Sequence, residues 1–251
     1  GFFCYFKEKN VFGMQVSVLG IFRCFAKVAV AVAAVSLCAC VGEDLARGNS
    51  ALKIGDYDRA VVNFSNVLDK VPSDRDARYG LALAYYAIAE DRERIHASTV
   101  ELWDRTVREF RILSKVDSTE KISGAYSSSL FYLARATLES NPKAKVLPLL
   151  DKSIQLDSLN FFSYNLKALL LANRGRSAEA KDIYAYILTK DSKFVSAYVN
   201  LGSLYWKEGD VESAWDIWSM GLRENPKDPA LIRWTAAAED SLKAMVLSGQ
   251  L

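Results

Sequence analysis

The chain has few of the side chains from which catalytic and metal-binding sites are usually built. Its 251 residues include four cysteines and one histidine, His96. All four cysteines lie within the first 40 residues, which excludes a disulfide framework and a thiolate metal site from the rest of the chain. A single histidine leaves little material for Ser-His-Asp or Cys-His catalysis and none for a multi-histidine metal site. His96 lies in a charged stretch and is more typical of a surface or capping residue than of a catalyst.

The chain also lacks an excess of charge of one sign. Lysine and arginine (32) nearly balance aspartate and glutamate (30), so no nucleic acid is predicted as a ligand. Hydrophobic residues make up 51% of the chain and charged residues 25%, which is the composition of a folded globular protein and not of a disordered one. Neither a phosphate-binding glycine loop nor a metal-ligand spacing is present, so we predict no cofactor and no metal.

The N-terminal region is predicted to be a targeting segment and not part of the fold. From Met14 onward it carries Arg23 and Lys27, followed by an apolar run over 28–37 and then small residues. A charged region, a short hydrophobic region and a small-residue end are typical of a secretory signal peptide, which we place at 14–39. The apolar run has about ten residues, whereas a membrane-spanning helix needs roughly 20. A plain signal peptide or an N-terminal membrane helix with incidental cysteines stays an alternative.

The segment Leu37-Cys38-Ala39-Cys40 resembles the bacterial lipobox, in which a leucine and a small residue precede a cysteine that becomes lipidated. The resemblance implies that Cys40 is the lipidated first residue of the mature protein; Cys38 fits less well because Leu37 precedes it. Several acyl chains on one cysteine would anchor the protein stably to a membrane. We therefore predict a lipoprotein of the bacterial cell envelope that faces the periplasm, at either the inner or the outer membrane. Residues 1–13 are either a start site placed too early or an extension of unknown role.

The rest of the chain contains a sequence repeat with a period of 34 residues. An aromatic residue, a small residue, a turn glycine, a second small residue and a second aromatic residue recur at this spacing. Pro226 stands where the second helix of the later copy should end, and Pro72 does so in an earlier copy. The recurring residues are Tyr164, Ala168, Gly175, Ala180 and Tyr184 in one copy and Tyr198, Gly202, Gly209, Ala214 and Trp218 in the next.

These residues resemble the tetratricopeptide repeat, whose pattern is an aromatic residue, Leu-Gly or Leu-Ala, a tyrosine, a turn glycine, an alanine, an aromatic residue and a closing proline. The copy over 198–226 matches best, and the copy over 48–72 is also clear. Weaker copies cover 163–192 and 130–158. The resemblance implies an all-α fold over 40–251: a TPR-like α-solenoid of about five antiparallel helix pairs with a C-terminal capping helix.

Two regions depart from the regular pattern. Residues 78–118 match least well, and about a dozen extra residues are predicted near 88–103, as helical turns or as a loop. After Pro229, apolar residues recur at spacings of three or four, which predicts an amphipathic helix that covers the last pair. These residues are Leu231, Trp234, Ala238, Leu242 and Met245.

The pattern has a physical basis in the packing of short helices. Small residues leave room where two helices cross, and aromatic residues fill the wider gaps. Each turn glycine is expected just past a helix end, in the left-handed conformation that reverses the chain. Helices of about 12 to 15 residues are marginal alone in water, so stability must come from stacking one pair on the next. The positions are Ala82, Ala134, Ala168 and Gly202 in first helices, Ala60, Ala180 and Ala214 in second helices, and Gly55, Gly175 and Gly209 at turns.

In this family the first helix of each pair lines a concave groove through the positions that do not pack on its own second helix. Carried onto this chain, these positions are mostly aromatic and aliphatic, with a few amides. They lack the cluster of lysines and asparagines with which some family members hold a C-terminal carboxylate. Exposed apolar surface of this extent usually marks a partner site, whereas closure of the superhelix or the terminal helix would bury it. The groove residues are Leu45, Asn49, Leu52, Tyr79, Leu83, Tyr86, Phe131, Arg135, Leu138, Phe162, Asn165, Leu169, Asn173, Val199, Ser203 and Trp206.

The function that these features favour is a non-enzymatic scaffold. We predict that it holds one or more envelope proteins at a membrane, to which Cys40 attaches it, with Trp206 and Tyr86 as leading contact residues. An alternative is an accessory component of a periplasmic uptake transporter that binds a lipid or a hydrophobic small molecule. An enzyme using two converging carboxylates is disfavoured, because Glu139 is the one acid near the groove positions.

Overall fold

The computed structural model describes residues 39–117 and 119–248, which form helices joined by short turns. The described residues contain no strand, so the predicted all-α fold is confirmed. The predicted segments 1–13 and 14–39 lie outside the described residues, except for Ala39. The helices are α1 (39–53), α2 (Tyr57–Lys70), α3 (Arg75–Arg94), α4 (Val100–Leu113), α5 (Glu120–Ser140), α6 (Leu147–Leu156), α7 (Phe161–Ala172), α8 (Ser177–Lys190), α9 (Val195–Lys207), α10 (Val211–Glu224) and α11 (Pro229–Leu247).

The chain divides into two compact units, Gly1–Ile88 and Ala89–Leu251, with the boundary inside α3. The core of the first unit is built around the fully buried ring of Phe64. A Cβ atom on Gly48 would come within 2.7 Å of this ring, and one on Gly80 within 2.3 Å, so both positions have room for hydrogen alone. The aromatic residue of this repeat therefore fills the space that two glycines leave open.

The second unit is a stack of helices in which each helix packs against the next along the chain, from α4 to α11. Helix α9 also contacts α7 and α11, so the first helices of successive pairs lie side by side in one layer. Helix α11 buries Leu231 and Ala238 against its neighbours, as expected of the predicted terminal helix. This layered stacking of short helix pairs is the arrangement that the repeat predicted.

The turn glycines adopt the predicted conformation. Gly55, Gly175 and Gly209 have φ angles of 79°, 79° and 84°, which side chains with a Cβ rarely adopt. Next to the last of them, Asp210 accepts a hydrogen bond from Ser213 N at 3.0 Å through its side chain, and so caps the start of α10. This bond lowers the pKa of the Asp210 carboxyl below its usual value. Each turn therefore ends one helix with a glycine and starts the next within two residues.

The irregular repeat keeps the same turn without a glycine. His96 has a φ of 55°, and Ala97 N donates to Arg92 O at 3.0 Å, which matches the bond from Asp210 N to Tyr205 O at 3.1 Å. His96 is exposed, so its side chain needs no partner in the core. Most of the extra length of this repeat extends α3, which has 20 residues where α9 has 13. His96 is thus a helix-ending residue.

The alanines predicted at helix crossings are buried in the structure. Ala60, Ala134, Ala168, Ala180 and Ala214 are all fully buried. The predicted packing role of the aromatic residues holds as well, because Tyr198 and Trp218 are buried and Tyr205 packs against the core around Tyr184.

One junction in the stack has a polar core. Ser127 of α5, Ser153 of α6, Asn160 at the start of α7 and Ser163 of α7 are all buried. Ser153 Oγ lies 2.8 Å from Ser127 Oγ and 2.7 Å from Ser163 Oγ, and Asn160 Nδ2 donates to Ser127 Oγ at 2.9 Å. Asn160 Oδ1 accepts from Ser163 N at 3.2 Å, which caps α7. Because every member has a partner, this buried polar network avoids the cost of an unpaired group.

Candidate partner-binding surface

Two amide side chains join the neighbouring helices α7 and α9. Asn200 Nδ2 donates to Asn165 Oδ1 at 2.9 Å, and both residues are partly buried. One turn along α9, Ser203 Oγ donates to the carbonyl oxygen of Val199 at 2.7 Å. The first bond joins α7 to α9 through the predicted groove residue Asn165. The second fixes the hydroxyl of Ser203, another predicted groove residue, against the backbone of its own helix at Val199.

Three phenylalanines, from the middle of α5, the start of α7 and the residue before α9, form an aromatic surface. The centroid of Phe162 lies 5.8 Å from that of Phe131 on α5 and 5.4 Å from that of Phe194, the residue before α9. The Phe162 side chain is 60% exposed although it contacts both rings. We call these residues the phenylalanine strip; it leaves apolar surface in water in a position suited to a partner.

Arg135 was predicted to line the groove, but its charge is already neutralised within the protein. Its guanidinium forms an ion pair with Glu93 of α3, and Glu139 Oε1 lies 3.7 Å from Arg135 Nε. The guanidinium carbon also lies 4.9 Å from the centre of the Tyr132 ring. Glu93 accepts a second hydrogen bond, from the indole of the buried Trp103 at 2.9 Å. Arg135 therefore ties the extended end of α3 to α5 and is a poor candidate for a free cation.

Beside α7 and α9 lies a partly open aromatic pocket of about 330 Å³, which we call the tryptophan pocket. Trp206, Trp218 and Trp234 line it, and the Trp218 ring centroid lies 5.8 Å from Trp206 and 5.3 Å from Trp234. Trp218 is fully buried and donates its indole N–H to Val199 O at 3.3 Å. Trp206 and Trp234 are half-buried, so these two residues carry the accessible part of this aromatic stack. Other lining residues are Leu169, Asn173, Tyr184, Asn200, Ser203 and Lys207.

The tryptophan pocket contains no negatively charged side chain. Its lining includes no aspartate or glutamate, while Lys207 contributes a positive charge. Burial raises the pKa of the Tyr184 phenol above its ordinary value, so this hydroxyl stays neutral at physiological pH. The pocket is therefore aromatic, with amide, hydroxyl and cationic groups.

The predicted groove residues of the first unit have mixed surroundings. Leu45 and Leu52 of α1 are partly buried and pack against the core around Phe64, whereas Asn49 is exposed. The residues predicted on α3 are all partly buried. These α3 residues are Tyr79, Leu83 and Tyr86.

In the second unit the structure brings together four predicted residues, Leu169, Asn173, Ser203 and Trp206, at the tryptophan pocket. Leu138 and Phe131 instead pack against the core around Leu150.

Sequence reasoning missed several residues of this surface, of which four are polar or aromatic and not fully buried. Phe194 belongs to the phenylalanine strip, and Asn200, Lys207 and Trp234 line the tryptophan pocket. Asn200 and Lys207 lie three residues before and four after Ser203, which are spacings that place side chains on one helix face. That spacing was a usable signal, whereas Trp234 was assigned to the packing of the terminal helix.

Outside this surface the described residues offer few chemical groups. Cys40 is exposed and forms no disulfide. The described parts of the chain contain no cluster of three or more His, Cys, Asp or Glu side chains placed to hold a metal ion. Within 39–117 and 119–248, none of the helices combines the length and the apolar character needed to cross a membrane.

Two stretches of the chain, 45–88 and 165–229, match the family model described as the tetratricopeptide repeat. A crystal structure of MamA has a TM-score of 0.53 and 17% identity, covering 75% of this chain and 93% of its own. A second MamA structure also has a TM-score of 0.53, with 19% identity and coverage of 72% and 95%. YrrB, described as a TPR protein with an unusual peptide-binding site, has a TM-score of 0.51 and 18% identity, covering 74% of this chain and 87% of its own. These likenesses establish the fold, and no curated protein matches the chain significantly.

Proposed function

We propose, from the premise that this chain has the fold of tetratricopeptide repeat proteins, that it is a non-enzymatic scaffold that binds protein partners of the bacterial cell envelope. The observation that carries the proposal is the accessible aromatic surface on the first helices, formed by the phenylalanine strip and the tryptophan pocket. Half-buried aromatic side chains in a concave site are the residues that most often dominate binding energy. YrrB, which shares the fold, is described as having a peptide-binding site.

The proposal predicts that Trp206→Ala removes partners while leaving the fold in place. Loss of a central aromatic contact should weaken binding by about 2 kcal/mol or more, which is roughly 30-fold. The measurement is crosslinking and pull-down from native membranes, compared between the wild type and the variant, with the helical circular dichroism spectrum as a check on folding.

The matched control is Trp215→Ala. Trp215 lies on α10 and lines a different pocket, together with Leu242 and Val246 of α11. Its truncation should leave the set of partners unchanged. If the Trp206 variant captures the same partners as the wild type, in the same amounts, the aromatic surface is not the partner site.

The anchor is the second part of the proposal. Cys40 stands in the sequence context of a lipidated cysteine, and its side chain is exposed at the start of the described residues. We expect metabolic labelling with palmitate to modify the wild type and Cys38→Ala but not Cys40→Ala. The Cys40 variant should also move from the membrane fraction to the periplasmic extract. Label on the Cys40 variant, or an unlabelled wild type, would reject the anchor without touching the partner site.

Binding of a lipid or hydrophobic small molecule is the second candidate, and the tryptophan pocket is the feature that favours it. Its volume of about 330 Å³ is at the lower end of the roughly 300 to 1,000 Å³ typical of small-molecule sites. Such a pocket suits one side chain of a partner better than a whole lipid.

A further inference from the structure

We infer that the tryptophan pocket selects a peptide segment of a protein partner in which one large apolar side chain is flanked by acidic residues. The inference rests on the proposed partner-binding function and specifies the chemistry of the partner. It follows from two properties of the second unit: the apolar interior of the pocket, and two cations at or beside it that make no ion pair.

The first property is the apolar interior. Leu169 is 38% exposed and Trp206 and Trp234 are half-buried, while the fully buried Trp218 packs between the two other indoles. A space of about 330 Å³ admits one aromatic or branched aliphatic side chain. Burying such a side chain against tryptophan rings removes large apolar areas from water on both partners.

The second property is the ion pairing of the lysines and arginines on α5, α7, α9 and α11. Arg135 of α5 is paired with Glu93, and Lys167 of α7 is paired with Asp151 at 2.6 Å. These two side chains already have carboxylate partners within the protein.

Lys207 and Arg233 are different. Lys207 lines the tryptophan pocket and makes no ion pair with any described residue. Arg233 of α11 places its guanidinium carbon 5.1 Å from the centre of the Trp234 ring and likewise has no carboxylate partner among the described residues. The lining contains no acid and Lys207 gives it a positive charge, while Arg233 adds a second cation against Trp234, outside the lining itself. Acidic residues beside the apolar anchor should therefore be favoured and basic residues repelled.

The test is selection of short random peptides displayed on phage against the purified protein. Peptides enriched on the wild type should carry an aromatic or branched aliphatic residue with aspartate or glutamate within a few positions. The double variant Lys207→Glu/Arg233→Glu should enrich basic residues in place of acidic ones. A synthetic peptide from the wild-type selection should bind this variant about tenfold more weakly, with a difference that shrinks as salt is raised.

Two controls make the outcome decisive. Lys143→Glu/Lys145→Glu reverses the same number of charges in the exposed loop between α5 and α6, and it should select the same peptides as the wild type. Trp206→Ala should abolish enrichment. Circular dichroism confirms that each variant is folded.

The possible failures separate the two claims. Peptides that need Trp206 but show no acidic preference, or that survive charge reversal at Lys207 and Arg233, would overturn the inference and leave the partner site standing. Peptides that bind regardless of Trp206, or an absence of enrichment on the wild type, would overturn both.

Discussion

Replacing Gly202 by alanine is expected to lower the free energy of unfolding by about 2 kcal/mol, within the ~1–3 kcal/mol typical of overpacked cores. A Cβ atom at this position would lie 2.3 Å from Nε1 of Trp218. The indole cannot withdraw, because it is fully buried, it packs against Trp206 and Trp234, and its N–H is bonded to Val199 O at 3.3 Å. The clash therefore outweighs the roughly 1 kcal/mol that alanine normally gains over glycine in a helix. Urea unfolding followed by circular dichroism measures the change.

The control is the same substitution at Gly124 of α5. A Cβ atom there meets nothing within 4 Å, so Gly124→Ala should be neutral or stabilise the protein by up to about 1 kcal/mol. A double-mutant cycle with Trp218→Leu tests the cause, because the penalty at Gly202 should shrink or reverse once the indole is gone. An equal penalty in both backgrounds, or no penalty at all, would show that the two side chains do not limit each other.

Gly202 and Trp218 also show why so much of the fold could be predicted from the sequence. A helix crossing that is this close tolerates almost no other residue, so the glycine and the indole mark the crossing in the sequence itself. The turn glycines act in the same way, since a φ near 80° restricts the choice of residue at Gly175 and Gly209. Residues under such steric restriction recur with the period of the helix pairs. Their spacing in the sequence therefore predicted where the pairs lie.

The irregular repeat was harder to predict because its determinants are not local. His96 follows α3 where Gly55, Gly175 and Gly209 mark the corresponding turns of three other pairs, so the sequence did not distinguish a longer helix from a loop. Glu93, in the extended part of α3, then pairs with Arg135, which the repeat pattern had assigned to the groove. Glu93 and Arg135 are 42 residues apart in the sequence. The 34-residue period therefore does not predict that they meet.

The candidate surface was predicted in part for a related reason. Trp206 and Leu169 follow from their repeat positions, and both line the tryptophan pocket. Trp234 lies on the terminal helix α11, which follows the last helix pair. It reaches the pocket because α11 packs beside α9. The lining of this pocket combines residues of five helices, α7 to α11, so it depends on how the helices cross, which the sequence pattern does not specify.

Replacing Ser153 by alanine is the other change expected to have a large effect, a loss of about 2 kcal/mol in the free energy of unfolding. Ser153 Oγ lies within 2.8 Å of Ser127 Oγ and 2.7 Å of Ser163 Oγ, and it accepts from Asn160 Nδ2 at 3.2 Å. Removing the hydroxyl takes away the partner of the buried Ser163 Oγ, while Ser127 and Asn160 keep their mutual bond at 2.9 Å. A buried hydroxyl left without a partner costs ~1–3 kcal/mol. Chemical denaturation of the purified protein measures the loss.

The neighbouring junction shows that a hydroxyl is not required at this point in the stack. One period later, Ile187 and Ala197 replace Ser153 and Ser163 and are fully buried. The loss from Ser153→Ala should therefore come from orphaned partners, so a cycle with Ser163→Ala should be non-additive, with the double variant less destabilised than the sum of the two single variants. Ser158→Ala, at an exposed turn, should stay within about 0.5 kcal/mol of the wild type. If the two losses simply add, Ser153 and Ser163 act independently, and the hydroxyls stabilise this junction by packing and not as one hydrogen-bonded network.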